Sequence, residues 1–263
     1  RDLHYPLRRQ RQMCIRDSDG IDSEGLWVLV RELRKTAGVT VVVPDHERSA
    51  VGTAVSLFQP VHAEKAAPVI EGVTAYTIDG TPSDCVILAM GKLIDSKVDL
   101  VVSGINAGLN VGEDVYISGT VGGALQGYFR SCSALAVSAP RYGKDGCETA
   151  ARVAAALAER INAAAPKSAI FLNVNSPDLP VPEIVDVKIT RLARTSHINT
   201  VEEDDILEEK HYRLVRQQIG GSALKGTDMY AVKHGSVSIT PLFTNLFNRP
   251  PQRFLQELCT GLI

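Results

Sequence analysis

The chain has no Cys-x-x-Cys pair, no apolar run near the ~18 residues that a membrane-spanning helix needs, few aromatics and little net charge. Its five cysteines, Cys14, Cys85, Cys132, Cys147 and Cys259, are odd in number and widely spaced. That argues against a disulfide framework or structural zinc, and the expected location is a reducing cytoplasm, with no membrane partner. Aromatic residues make up 5% of the chain and Trp27 is the single tryptophan, so no stacking stripe for single-stranded nucleic acid exists. A formal net charge of −2 exerts no general pull on nucleic acid, and any polyanion has to be met by a local site. The six histidines show no metal-ligand spacing. Neither Ser103 nor Ser138 has a Gly-x-Ser-x-Gly setting, which disfavours a serine hydrolase. The Gly-x-Gly-x-x-Gly and P-loop spacings are also missing, which disfavours a doubly wound dehydrogenase or nucleotide-sugar transferase.

What is present fits an α/β globule. With 263 residues, 44% of them hydrophobic, the chain suffices for one sizeable domain with an appendage, or for two small ones. Leu26, Leu29, Val30 and Leu33 recur at helical spacing after Ser23, with Arg31, Glu32, Arg34 and Lys35 facing away, which predicts an amphipathic helix. Val39 to Val43 is a β-branched run stopped by Pro44, as in a strand buried on both faces. Thr81-Pro82-Ser83-Asp84 has the hydroxyl, proline and acid of a helix start, predicted to carry Val86, Ile87 and Met90 inward. Asp84 is thus either a cap or a substrate contact. Val98 to Ser103, Ala134 to Ser138 and Ala169 to Val174 read as strands, separated by helices near Thr120 to Tyr128 and Thr149 to Ala163. The alternation predicts a Rossmann-like, doubly wound, mostly parallel sheet.

After Pro177 the pattern changes. Val185 to Arg191, His211 to Gln217 and Val237 to Thr240 alternate like antiparallel strands, the acidic run Glu202 to Asp205 is expected at a solvated loop tip, and Gln252 to Leu262 reads as a terminal helix. Residues 17–180 are read as a Rossmann-like core and 181–263 as a hairpin-rich extension with a C-terminal helix. Residues 1–16 contain five arginines, one aspartate and a proline without a continuous apolar run, and do not read as a first strand. They are expected to be non-native or disordered, such as a translated adapter, the alternative being a basic nucleic-acid arm.

The most informative stretch runs from Asp99 to Ala124. A buried-strand run breaks into a loop holding Gly104, Gly108, Gly112 and Gly119 and enters a helix at Thr120. Ser118-Gly119-Thr120 places hydroxyls and amides at a helix N-terminus that favours phosphate, and Asn106 offers a neutral oxygen to a hard cation. The plain alternative is a tight glycine turn that binds nothing. Asp17-Ser18-Asp19-Gly20 and Pro44-Asp45-His46-Glu47-Arg48-Ser49 occupy equivalent loop positions, so oxygens from three strand ends can meet around Mg²⁺ or a similar ion. His46 is read as solvent-facing rather than a general acid, and Arg48 as either a phosphate contact or a structural pair.

These pieces resemble the SurE family, the survival-protein-E phosphatases. The resemblance rests on Asp19-Gly20-Ile21-x-x-x-Gly25, Val43-Pro44-Asp45-x-x-x-Ser49, Gly80-Thr81-Pro82-Ser83-Asp84-Cys85-Val86, Val101-Val102-Ser103-Gly104-Ile105-Asn106-Ala107-Gly108-x-Asn110, Tyr116-x-Ser118-Gly119-Thr120-Val121, Asn173-x-Asn175-x-Pro177, Gly226-Thr227-Asp228 and Val237-Ser238-Ile239-Thr240-Pro241-Leu242, in family order. It implies a metal-dependent 5′-nucleotidase hydrolysing nucleoside 5′-monophosphates, with 3′-nucleotides and polyphosphate as further substrates, working as a homodimer or homotetramer. The same resemblance assigns catalysis to the core, residues 17–180, and oligomer contacts to the extension, residues 181–263. Asp19, Ser49 and Asn106 would hold one divalent ion per subunit, Mg²⁺ or Mn²⁺, and Asp19 would act as base or nucleophile. Asn110, Ser118, Gly119 and Thr120 would bind the phosphate. One position departs from the family, whose Asn-Asp-Asp-Gly carries two metal-site aspartates: Ser18 stands at the first of them. An impaired nucleotide-binding or oligomerising protein is therefore the alternative implied.

Overall fold

Met13, Cys14 and Ile15 lie on an interior strand of the sheet and are buried. The structure, a computed structural model, describes residues 12–16, 19–67, 69–143, 145–194, 197–206, 209–218 and 224–244. Within them the strands are β1 (Gln12–Arg16), β2 (Gly38–Pro44), β3 (Ala63–Lys65), β4 (Thr74–Ile78), β5 (Leu100–Ala107), β6 (Ser133–Ala139), β7 (Phe171–Asn175), β8 (Val187–Ile189), β9 (His197–Ile206), β10 (Glu209–Gln218) and β11 (Val237–Pro241). Nine of them form one sheet in the order β3-β4-β2-β1-β5-β6-β7-β11-β8, while β9 and β10 pair as a separate hairpin.

The interior position of β1 corrects the reading of Gln12–Arg16 as lacking strand character. Its ladder is supplied from both sides, with Met13 opposite Val39 and Leu100, and Ile15 opposite Val41 and Val102. Three consecutive apolar side chains are enough when both neighbours are already strands. Successive side chains point to opposite faces. Met13 and Ile15 join the core under helices α1 (Glu24–Leu33) and α4 (Asp145–Ala164), and Cys14 joins the core under α2 (Pro82–Leu88) and α3 (Gly119–Phe129). Helices cover both faces, as the doubly wound reading requires.

Local chemistry explains the helix boundaries. The Ser23 hydroxyl accepts the Leu26 N–H at the start of α1, and burial of Leu26, Leu29, Val30 and Leu33 contributes roughly 1.5–3 kcal/mol each. Thr81 and Asp84 form a reciprocal capping box on α2, with Pro82 in its first turn. Cys85, Val86 and Ala89 are the buried residues beyond it, whereas Ile87 and Met90, expected to point inward, are half-buried; the helix passes from α into a π-helical turn at Ala89–Leu93.

Three other readings are corrected. The Val98 run does not break into a loop after Val102: β5 continues to Ala107 through a register shift between Ser103 and Asn106, so Asn106 stands at a strand end. Val187–Ile189, expected to be antiparallel, runs parallel to β11, and β11 is antiparallel to β7. Glu202 to Asp205 lies within β9 rather than at a loop tip, paired with Lys210 to Arg213. The expected helix at Gln252 to Leu262 lies outside the described residues.

Candidate active site

The chain passes from β1 to β2 on one side and later returns to β5 on the other, so the strand order reverses between β1 and β5. In open α/β sheets the crevice at such a reversal, beyond the carboxyl ends of the strands, is the usual ligand site. Here it holds a cavity of about 580 Å³ whose walls include Asp19, Ser49, Asn106, Asn110, Ser118 and Gly119.

Asp19 stands three residues after the last residue of β1. Its Oδ2 accepts the Ala107 N–H at 3.0 Å, joining the β1 turn to the end of β5. Asn106 is oriented from two sides, its Nδ2 donating to the Gly108 carbonyl at 2.6 Å and its Oδ1 accepting the Thr120 hydroxyl at 3.3 Å. Thr120 is fully buried, so its side chain stands behind the cavity wall and steadies Asn106 rather than facing the cavity. Ser49 is exposed on the loop after β2 and donates to Glu47 Oε1 at 2.6 Å. Ser18 and Asp17 lie outside the described residues.

The Ser49 loop is pressed onto the start of α3. Gly52 N–H donates to the Ile117 carbonyl at 2.9 Å, and Gly122 lies so close to the Gly52 carbonyl that a Cβ there would collide with it. Asp84 accepts the Ser56 N–H at 3.0 Å and Thr81 donates to the Ala54 carbonyl at 2.7 Å. Asp84 is therefore both cap and loop anchor. Arg48 lines the cavity and donates to the Asp79 carbonyl at 3.2 Å, while His46 is exposed beside Asp45.

Ser118 caps α3 by accepting the Val121 N–H at 3.1 Å. The loop before it is held by several residues that sequence reasoning gave no role. Asn110 donates through Nδ2 to Ser138 Oγ at 2.8 Å and through its backbone to Asn175 Oδ1 at 2.8 Å, and its carbonyl accepts from Nδ2 of both Asn173 and Asn175. Gly112 donates to Asp228 Oδ2 at 2.8 Å. Burial pushes the Asp228 carboxyl above its ordinary range, against the lowering effect of the N–H groups it accepts. The Asn173-x-Asn175 alternation was a readable signal, since residues two apart on a strand share a face. Glu24, Glu47, Asp114, Arg141 and Cys147 also reach the cavity and were not singled out as site residues.

The donors Asp19, Ser49 and Asn106 are all oxygen-bearing, which suits a hard divalent cation. Among the described residues no three His, Cys, Asp or Glu side chains cluster around a point.

These features define a doubly wound α/β protein in which a capped helix start and oxygen-bearing side chains share the crevice at the strand reversal. The family model described as survival protein SurE matches residues 13–199, and the chain belongs to the SurE family. It is 45% identical over 242 residues to the 5′-nucleotidase SurE of a Dehalococcoides mccartyi strain, covering 91% of each chain. It is 40% identical to the 5′-nucleotidase SurE of Vibrio parahaemolyticus, covering 92% of this chain and 90% of that one. The crystal structure of the SurE protein from Aquifex aeolicus superposes with a TM-score of 0.80 at 32% identity, covering 94% of this chain and 99% of the other.

Proposed function

We propose that this protein is a metal-dependent phosphatase that hydrolyses nucleoside 5′-monophosphates, acting also on 3′-nucleotides and polyphosphate, and that it works as a homodimer or homotetramer in the cytoplasm. Family membership and the names of its relatives support the reaction class. The observation that carries the reading is that Asp19, Ser49 and Asn106 share one cavity with the capped start of α3.

Asp19, Ser49 and Asn106 are the residues that would hold Mg²⁺ or Mn²⁺. The bound ion would supply charge neutralisation for the phosphoryl oxygens. The N–H groups at the first turn of α3 donate to the same oxygens, and the helix dipole favours the charge that develops on them. Ser118 keeps that turn intact as its cap. Asp19 takes the proton of the attacking water or attacks phosphorus itself. The Thr120 hydroxyl fixes the Asn106 amide so that its oxygen is presented in one orientation.

The test is phosphate release from a panel of nucleoside 5′- and 3′-monophosphates and polyphosphate, with Mn²⁺ or Mg²⁺ and then with chelator. Release that stops on chelation and in Asp19→Ala supports the reading. Release at an unchanged rate in chelator overturns it. Calorimetric nucleotide binding without turnover at saturating Mn²⁺ indicates an impaired binding protein instead, and Ser18→Asp then separates the causes, because restored turnover assigns the defect to position 18.

A further inference from the structure

The loop between Ala107 and Ser118 carries Asn110 and ends at the α3 cap, yet one of its anchors comes from 116 residues further along the chain. Asp228 is fully buried at the start of helix α5 (Asp228–Lys233). Its two carboxylate oxygens have different partners. Oδ2 accepts the Gly112 N–H at 2.8 Å, while Oδ1 accepts the N–H groups of Ala193 at 2.9 Å and Met229 at 2.8 Å. Ala193 belongs to the root of the β9–β10 hairpin, where Arg191 bridges Thr227, the Asp228 N–H donates to the Arg191 carbonyl at 3.0 Å and the Arg191 N–H donates to Gly226 at 3.1 Å. One side chain thus clasps three segments: the site loop, the hairpin root and α5.

We infer that Asp228 is a positioning residue, which fixes the aim of the phosphate-binding loop at Gly112 and makes that aim depend on the root of the hairpin. Gly112 has φ +56, a conformation that puts no intrinsic restraint on a glycine, so the orientation of this turn is set by what its N–H meets. The clasp is stronger than an ordinary loop contact, because N–H bonds to a buried carboxylate are charge-assisted. For its catalytic consequence the inference rests on the phosphatase reading; the geometric part does not.

The split between the two oxygens makes Asp228→Asn selective. The amide keeps one oxygen, and placing it toward Ala193 and Met229 preserves two bonds and sacrifices one. The NH₂ group then faces the Gly112 N–H, donor against donor. The expected result is at least a tenfold fall in kcat at saturating nucleotide and Mn²⁺, with faster amide deuterium uptake in the peptide spanning residues 108–118. The control is Ile161→Ala, a buried core change some 14 residues, or about 21 Å, along α4 from the cavity-lining Cys147. It is expected to lower Tm while leaving kcat within twofold and the loop protected. A kcat for Asp228→Asn within twofold of wild type overturns the inference, as does a loss that Ile161→Ala reproduces at equal Tm. If wild type shows no turnover, the phosphatase reading fails, and deuterium uptake alone decides the clasp: unchanged uptake overturns it. Should Asp228→Asn not fold, wild-type exchange provides the measurement. The Gly112 amide must exchange far more slowly than that of its exposed neighbour Glu113, and equal rates overturn the clasp.

Discussion

The carboxylate of Asp19 accepts the backbone N–H of Ala107 at 3.0 Å, across the point where the strand order of the sheet reverses. This bond ties the turn after β1 to the end of β5, and with it Asp19 to Asn106. Asp19→Asn keeps an oxygen for Ala107 but removes the charge. Nucleotide hydrolysis should fall by roughly 100-fold or more, the scale at which a charge-stabilising group is lost, while Tm changes by only a few degrees. Steady-state assay and thermal unfolding check this, and near-normal turnover would remove Asp19 from the chemistry.

Gly122→Ala inserts a methyl group against the Gly52 carbonyl. A backbone atom cannot swing aside as a flexible side chain can, so the Ser49 loop has to lift from α3. The expected cost is about 1–3 kcal/mol, with a loss of activity that follows from moving Ser49. Denaturant unfolding and turnover, measured on the same sample, should fall together.

Ser118 separates capping from phosphate binding. Ser118→Ala removes the acceptor for the Val121 N–H and should cost about 1 kcal/mol. Ser118→Asp restores an acceptor and suits the helix dipole, so stability should stay near wild type, but its charge repels phosphate. Activity is expected to fall in both and furthest in Ser118→Asp. Inorganic phosphate that inhibits Ser118→Asp as well as wild type would move the anion site elsewhere.

Asp228 gives stability a defined pH slope. Its pKa lies above the ordinary 3.8, chiefly through burial, so the folded state holds this proton at pH values where the unfolded chain has released it. The ionised group costs stability above the raised value, and that cost fades as pH falls toward 3.8. Asp228→Asn has no proton to exchange there. The Tm of wild type minus that of the variant should therefore rise as pH is lowered from about 7 to about 4. A flat or inverted difference contradicts the assignment.

Cys132 is buried and its thiol is pushed up to about 11, by burial first and the Asp99 charge second. At pH 8 only about one thiol in a thousand is thiolate, so native Cys132 should resist iodoacetamide and react after denaturation. Half-buried Cys147, at the cavity wall, should react sooner and be slowed by phosphate. Peptide mass mapping reads both.

Much of this was legible locally. The helix after Ser23, the capped start at Thr81 and the buried run at Val39 to Val43 follow from periodicity, capping chemistry and β-branching, all of which act over a few residues. The positions of Asp19 and Ser49 in turns after strands were readable for the same reason, whereas Asn106 lies at the end of β5 and not in the loop expected for it. The short strands Ala63–Lys65 and Thr74–Ile78 were passed over, the first because three residues carry little pattern and the second because Thr74-Ala75-Tyr76-Thr77-Ile78 is only partly apolar.

By itself the amino-acid order determined the alternation of strands and helices and the kind of atoms offered at the strand ends, because propensity, capping and turn chemistry depend on neighbours along the chain. Tertiary structure alone decided that Gln12–Arg16 is an interior strand of the sheet, that the Thr120 side chain steadies Asn106 from behind the cavity wall, and that Asp228 clasps Gly112. Those outcomes depend on partners supplied from tens of residues away, and a ladder or a buried hydrogen bond exists only once both of its halves have been brought together.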